Sequence, residues 1–541
     1  MTVYAQHYST KKTPQTGPIP GSNQVANSAG GYVFALDDWR RLDRFLIIGS
    51  TGTYYTQAKP LTVENAEVVR KLLGVNWKRL IDRIVEISQS GRAPKNDPAI
   101  FALAICCAFG CQQAKDMALQ SMPLVCRTGT HLFDFIRSVT QLRGWGRGLK
   151  RAVAEWYTKK TPKELAYQLC KYQQRNGWSH RDVLRLCKPS GVKEPLNTAL
   201  RWAVGKAQFV SPYTQESGPG ELAVIQAFEH AKRMDLAHEV PDSIHCENIA
   251  RLIHDFDLPR ECVPTRFLNS PVVWDALLQK MPLTALVRNL GKMSAIGLLS
   301  PLSDALAVVQ QKLGDVEYIQ KSRLHPMAVL LANKTYQAGH GDKGKLFWGV
   351  VPQVVDALEG AFYAAFENIE PTNKRHLLAL DVSGSMGYSF VQGASLTAAE
   401  ASAAMAMVTA RSEPNYHVMA FAGRFKELPI SRQDNLQSAL KKTRSRTFGA
   451  TDCSLPMTWA LENRVQVDVF VVYTDSETYA GSAHPKQAME RYRNAMGIDT
   501  KLAVVGMTST GFTINDPNDL NGLDLVGFDA STPAILSEWV R

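Results

Sequence analysis

The run Leu377-Leu378-Ala379-Leu380 leads without a break into Asp381-Val382-Ser383-Gly384-Ser385, and no other stretch of this 541-residue chain restricts its fold so much. Four apolar residues followed by a carboxylate and two hydroxyls read as a strand covered on both faces that ends in a polar turn. A second such strand, Val469 to Tyr473, ends on Thr474-Asp475, and Gly449-Ala450-Thr451-Asp452 offers a further hydroxyl. In open α/β sheets ligands gather at the carboxyl ends of parallel strands. Two carboxylates and three hydroxyls form an all-oxygen set suited to a hard divalent cation, Mg²⁺ or Mn²⁺. Asp381, Ser383, Ser385, Thr451 and Asp475 are the candidate metal ligands. A phosphatase of the aspartyl-phosphate type also carries an Asp after its first strand. It needs a second Asp two residues later as general acid, where this chain has Ser383.

The surrounding pattern agrees. After Pro371-Thr372-Asn373-Lys374-Arg375, strands at 376–380, 416–421, 467–473 and 502–505 alternate with helices at 396–411, 454–462, 485–496 and 532–540. Such alternation specifies a doubly wound parallel sheet over residues 370–541. All five oxygen ligands fall where the metal-ion-dependent adhesion site of von Willebrand factor A domains has them, and the segment resembles that family.

Upstream, the periodicity is helical for more than three hundred residues. Helices are expected near 63–73, 77–87, 149–157, 221–234, 272–278, 283–290, 305–313, 327–336 and, beyond a loop at 339–344, 354–366. The succession of short helices with polar breaks suggests a helical-repeat domain over residues 31–369. Residues 1–30, rich in Gly, Pro, Ser, Thr and Gln, read as a flexible arm. No signal peptide is visible in that arm, and the longest apolar stretch, Pro98 to Cys111, falls short of the roughly 20 residues that span a bilayer. It reads as a buried helix whose Cys106, Cys107 and Cys111 are packing residues. No membrane association and a reducing, cytoplasmic setting are expected.

Charge divides the chain. Residues 137–206 hold 16 Lys and Arg against 4 Asp and Glu, a net of +12, whereas residues 370–541 carry 16 against 18. The basic segment is interleaved with Trp145, Trp156, Tyr157, Tyr167, Tyr172, Trp178 and Trp202, which suits a polyanion with bases that stack; the plainer alternative is a solvated face above core aromatics. Within it, a helix from about Glu164 is expected to stop at Gly177, and another to begin with Ser179 as N-cap and Asp182 as its capping-box partner. This puts His180 at the start of a helix, where an anion is favoured, and Lys171 and Arg175 on one face of the preceding helix. Lys171, Arg175, His180 and Arg181 are the leading candidates for RNA contact, with Arg143, Arg147, Lys150 and Arg151 behind them.

Four segments in the same order, KYQQRNGWSHRDVLRL from Lys171, MPLTALVRNLGKM from Met281, LHP from Leu324 and TDCSLP from Thr451, are similar to the Ro ribonucleoprotein autoantigen family over most of residues 28–541. The resemblance is thinnest between Lys188 and Glu261. It implies a multidomain α plus α/β protein: a ring of HEAT-like repeats, the TROVE module, followed by a von Willebrand factor A domain. It further implies a non-catalytic RNA-quality-control scaffold. Such proteins bind small noncoding Y RNAs on the outside of the ring and admit single-stranded ends of misfolded RNAs, and bacterial relatives are linked to exoribonucleases. The motif places Lys171, Arg175 and His180 at the RNA; Gln173 and Arg181 depart mildly from animal members, although Arg181 keeps the charge. Two other functions remain open from the residues themselves: a docking module whose cation takes a carboxylate from a protein partner, and a metal-dependent ribonuclease, although two-metal chemistry asks for more carboxylates than Asp381 and Asp475.

Overall fold

Apolar residues at helical spacing become helices wherever that spacing is sustained. The computed structural model describes residues 11–49, 66–209, 220–237, 239–322, 324–341, 345–366, 369–389, 396–444 and 449–541. The two helices expected near 63–73 and 77–87 are one element, Glu67–Ser90, broken at Asn76; residues 63–65 lie outside the described residues. Asn76 leaves helical backbone angles, and its side chain accepts from Arg79 N at 3.0 Å, which restarts the helix. The apolar run after Pro98 is the buried helix Asp97–Phe109, with Cys106 and Cys107 inside. Cys111 is exposed at the start of the next helix, so the packing role expected of it is corrected. The remaining expected helices appear as Arg147–Thr158, Ala223–Leu236, Pro271–Lys280, Leu283–Ala295, Asp304–Gly314, Pro326–Ala338 and Pro352–Ala364. Of the loop expected at 339–344, residues 342–344 lie outside the described ones. Among the described residues no helix is long and apolar enough to cross a membrane.

The helices stack on near neighbours in sequence, as repeats do, and the two ends of the array meet. His325 Nε2 lies 2.9 Å from the carbonyl of Arg92, two helical segments 233 residues apart. The C-terminal domain fastens both ends. Arg92 reaches Asp529 at 2.7 Å, and the buried Arg44 donates to the carbonyls of Thr510 and Phe512. From the far end, Lys334 pairs with Glu400 at 2.8 Å and Glu359 with Arg411 at 3.0 Å. The helical array is therefore closed on itself, with the sheet domain docked across the closure.

In that domain the strands lie in the spatial order Gly522–Val526, Lys501–Gly506, Val469–Thr474, Arg375–Asp381, Asn415–Phe421, Phe425–Glu427. Neighbours are parallel except the last pair, so an antiparallel edge strand is added to the expected parallel sheet. Both faces are covered. Leu378, Leu380, Val471 and Val505 share a core with the helix Ala398–Ser412 and the helical array, while Leu377, Ala379, Phe470 and Val504 pack with Met457, Met489 and Tyr492 of the helices opposite. The helix Ala398–Ser412 is buried along almost its whole length, and its Ala and Ser residues let sheet and helices approach closely.

The arm expected at residues 1–30 is corrected for the part described. From residue 11 onward it is built into the sheet domain: Val25–Ala26 pairs with Tyr32–Ala35, and that strand pairs with Phe512–Thr513. Thr13 N donates to Gln487 Oε1 at 3.0 Å, and Val33 sits in the sheet core. Polar composition without periodicity reads as a flexible arm, but Gln15 and Asn27 are held by partners in the sheet domain. Those partners are more than 400 residues away.

Candidate cation site and nucleic-acid interface

Because the central strands are parallel, their polar ends fall on one edge of the sheet. Asp381 is the last residue of its strand, Ser383 caps the short helix Gly384–Tyr388, and Asp475 follows Val469–Thr474 directly. Asp381 Oδ1 accepts from Ser383 N at 2.9 Å, Asp381 Oδ2 accepts from the Thr474 hydroxyl at 2.7 Å, and the hydroxyls of Ser383 and Ser385 are 3.0 Å apart. Thr451 is buried on the adjoining loop, whose Cys453 sulfur lies 3.6 Å from the Thr474 hydroxyl.

Asp381 and Asp475 are each 0 % exposed, and neither has a cationic side chain within ion-pair distance among the described residues. Burial, and then the neighbouring Asp475, pushes the Asp381 carboxyl up to about 7; burial raises Asp475 as well. Asp475 Oδ1 accepts from Glu477 N at 3.0 Å, but Oδ2 is buried without a hydrogen-bond partner among the described residues. Two adjacent buried carboxylates without a counter-ion are costly, and a divalent cation among these oxygens removes the penalty. The donor set fits such an ion. Among the described residues no three His, Cys, Asp or Glu side chains converge as a ligand group, so at this site hydroxyls would have to complete the set begun by the two carboxylates.

The sequence reading missed what surrounds this edge. Gln15 donates to Asp452 Oδ1 at 2.8 Å and accepts from the Thr478 hydroxyl at 2.5 Å. Asn27 donates to the Thr478 carbonyl at 2.8 Å, and Ala29 N to Glu477 Oε2 at 3.0 Å. Gly31 lies so close that a Cβ there would stand 1.9 Å from the Thr478 carbonyl oxygen. The N-terminal segment thus braces the loop after Asp475. Thr474 and Glu477, which flank Asp475 in sequence, were within reach of the motif; Gln15 and Asn27 were not.

The basic segment has a different local structure from the one expected. The helix that starts with the Thr161 capping box ends at Lys171, not at Gly177. Gln174–Arg175 pairs with Trp178–Ser179 as a hairpin whose Asn176 and Gly177 have φ of 52° and 79°. Two consecutive positive φ values are the Asn-Gly type I′ turn. Lys171 and Arg175 therefore do not share a helix face. The Ser179–Asp182 capping box forms as expected.

His180 is also corrected. It is 4 % exposed, with Nδ1 2.8 Å from the Tyr157 hydroxyl and its ring packed on Phe133 and Tyr157. Burial lowers its pKa to about 4, so it is a neutral core residue. Its helix starts against the array, and the first side chain turns inward.

The cations remain outside. Arg175, Arg181, Arg143, Arg147, Lys150 and Arg151 are exposed, and Lys171 is half-buried with its ammonium 3.0 Å from the Tyr167 hydroxyl. Trp145 and Trp178, with ring centroids 6.0 Å apart, bring the turn between Arg143 and Arg147 beside the hairpin. Arg185, four residues beyond Arg181, extends the exposed set. None of these eight side chains makes an ion pair with a carboxylate among the described residues. A basic surface left uncompensated by its own protein is the footprint of a polyanion site.

A closed array of helical repeats joined to a doubly wound sheet with an oxygen-ligand site at its strand ends defines a helical-repeat protein with a von Willebrand factor A domain. Residues 25–253 and 257–335 match the TROVE domain family, and residues 375–540 match the Ro60 vWA domain. The chain belongs to the Ro family that unites these two domains. It is 39% identical to the RNA-binding protein RO60 of Deinococcus radiodurans, with 98% of this chain and 97% of that one aligned. It is 34% identical to the RNA-binding protein RO60 of Caenorhabditis elegans, covering 98% and 92%. The crystal structure of the Deinococcus radiodurans RO (RSR) protein superposes with a TM-score of 0.68 at 38% identity, over 93% of this chain and 99% of that one.

Proposed function

We infer that this chain is an RNA-binding Ro scaffold whose helical ring carries the RNA and whose A domain carries a cation-dependent docking site. The observation that carries this reading is the exposed set of unpaired cations around the hairpin at 174–179, in a segment of net charge +12, on a chain whose relatives are named RNA-binding proteins. Family resemblance favours small noncoding Y RNAs and the single-stranded ends of misfolded RNAs as the RNA class, with an exoribonuclease as a partner. The scaffold is non-catalytic in this reading: Asp381 and Asp475 are the only carboxylates in the proposed ligand set, and the neighbouring buried Glu477 accepts from Ala29 N at 3.0 Å in the N-terminal segment.

Asp381, Ser383, Ser385, Thr451 and Asp475 are the residues that would hold Mg²⁺ or Mn²⁺. Bound there, the cation supplies a Lewis-acidic position that attracts a carboxylate from a protein ligand. The chain's own part is to fix the oxygens: Thr474 and the Ser383 amide orient Asp381, and the Glu477 amide orients Asp475. The test is a titration of the full chain with a structured small RNA at several salt concentrations. Tight binding that weakens steeply with salt is expected, at a slope of roughly −0.7 per neutralised phosphate in single strands. Binding that ignores salt, or none, would overturn the reading.

A further inference from the structure

Beside the basic face lies a cleft of about 470 Å³ that no site described so far uses. One wall is the helix Pro162–Lys171, which turns Lys163, Tyr167, Gln168 and Lys171 toward it; the other is the helix Leu283–Ala295, with Ala285 and Asn289. The floor is apolar: Ile253, Leu258, Leu277 and Met281 are all buried. The volume lies within the range of roughly 300–1,000 Å³ typical of small-ligand sites.

The polar groups in it are few and complementary. Gln168 Oε1 accepts from Gly129 N at 2.9 Å, and its amide nitrogen has no partner among the described residues. Asn289 donates to the Ala285 carbonyl at 2.8 Å, and its Oδ1 likewise has none. An amide donor on Gln168 and an amide acceptor on Asn289 among the lining residues, with an apolar floor and Tyr167 in the wall, offer the kinds of group that meet the edge and face of a nucleobase. At the rim, Asp257 is taken by Lys280 at 2.7 Å and Lys163 at 3.8 Å, and Glu164 is held in the Thr161 capping box. Lys171 and Arg260 make no ion pair among the described residues, while Glu261 adds one carboxylate nearby. An apolar floor with cations that make no ion pair at its mouth among the described residues suits a base inserted while its phosphates stay outside. Lys171 belongs both to this mouth and to the exposed basic surface, so a strand lying on that surface passes the cleft.

We propose that this cleft takes an unpaired nucleobase, either extruded from the bound RNA or carried by a free nucleoside monophosphate. The first source rests on the RNA-binding reading above; the second does not. The full chain is titrated with an RNA hairpin bearing a single-stranded loop, with the same hairpin carrying abasic sites in that loop, and with the four nucleoside monophosphates. Ala285→Trp fills the cleft, and Asn289→Ala removes the acceptor should the Trp variant melt early. Wild-type protein is expected to prefer the base-bearing loop by about tenfold, the scale of one stacked base. Ala285→Trp should bind both hairpins with the abasic affinity, and Asn289→Ala should narrow the preference. Equal binding of both hairpins by wild type, together with no binding of monophosphates, overturns the proposal while the RNA-binding reading stands. Preference unchanged in both variants also overturns it. Monophosphates bound by wild type but not by Ala285→Trp support the cleft through the second source. If that occurs with no RNA bound at all, the RNA-binding reading fails and the cleft survives.

Discussion

The two candidate sites are built in opposite ways. The candidate cation site is a buried cluster of acids with no cationic side chain near enough to pair among the described residues. The candidate RNA face is an exposed cluster of basic side chains with no carboxylate near enough to pair among the described residues. In both, charge left uncompensated by the fold points to something the fold does not contain. The cost differs: desolvation penalises the buried acids even when nothing binds, while solvent screens the exposed cations. Loss of a ligand should therefore register as instability at the first site and as lost affinity at the second.

The largest expected effect breaks the comparison on the acidic side. Calorimetric titration with Mg²⁺ or Mn²⁺ should show a single site in the wild type and none in Asp381→Asn, while RNA affinity stays within about twofold because the cluster belongs to the sheet domain and the basic face to the helical array. The metal-free variant should melt higher than metal-free wild type, since it removes one of two adjacent buried carboxylates. A folded-state pKa near 7, above the unfolded value of 3.8, means that the folded form takes up a proton first. Metal-free wild type should accordingly gain stability as pH falls from about 7 toward 4, and Asp381→Asn should lack that component. Equal melting of both proteins across this window would contradict the burial argument.

His180 provides the next largest effect and sharpens the division inside the basic segment. Truncation to Ala removes a ring packed on Phe133 and Tyr157 and should cost about 2–4 kcal/mol, read in thermal or denaturant melts. Its folded pKa of about 4 lies below the ordinary value of 6.5. The unfolded chain protonates first, so this contribution is present above pH 6.5 and is lost as pH falls toward 4. RNA affinity of the folded variant should change little. Lys171→Ala, Arg175→Ala and Arg181→Ala combined should do the reverse, holding the melting temperature and flattening the salt slope of RNA binding by about 2.

How much of this could be read from sequence followed from how local each feature is. The candidate oxygen ligands lie within a few residues of a strand end, and the parallel sheet brings the strand ends together; hence the placement of Asp381, Ser383 and Asp475 at one sheet edge was legible. The Ser179 capping box spans three residues and was legible too. Gln15 and Asn27 bond to Thr478 across more than 400 residues, and nothing in their neighbourhood signals it. Asn176-Gly177 was read as a helix stop, although two positive φ values in a row make it a hairpin. That one misreading moved Arg175 off the helix. For His180 the position in the helix was right and the direction of the side chain was not, because which face of a short helix turns inward depends on Phe133 and Tyr157 beneath it.

The smallest expected effect tests the corner itself. Ser179 Oγ accepts from Asp182 N at 3.3 Å, and Asp182 Oδ2 accepts from Ser179 N at 3.1 Å, so the box satisfies two backbone donors at the start of the helix His180–Cys187. Ser179→Ala removes the first bond, leaves the second, and should cost about 1 kcal/mol of stability. The helix carries Arg181 and Arg185 outward and His180 inward, so its fraying would loosen two cations on one side and a packed ring on the other. Because the helix is also held by buried Val183, Leu184 and Cys187, fraying should stop within the first turn, and RNA affinity should fall by less than about threefold. Melts and salt titrations on Ser179→Ala, beside Asp182→Ala, decide it. If RNA binding collapses while stability holds, the hydroxyl of Ser179 itself contacts the RNA and the corner is part of the recognition surface rather than its support.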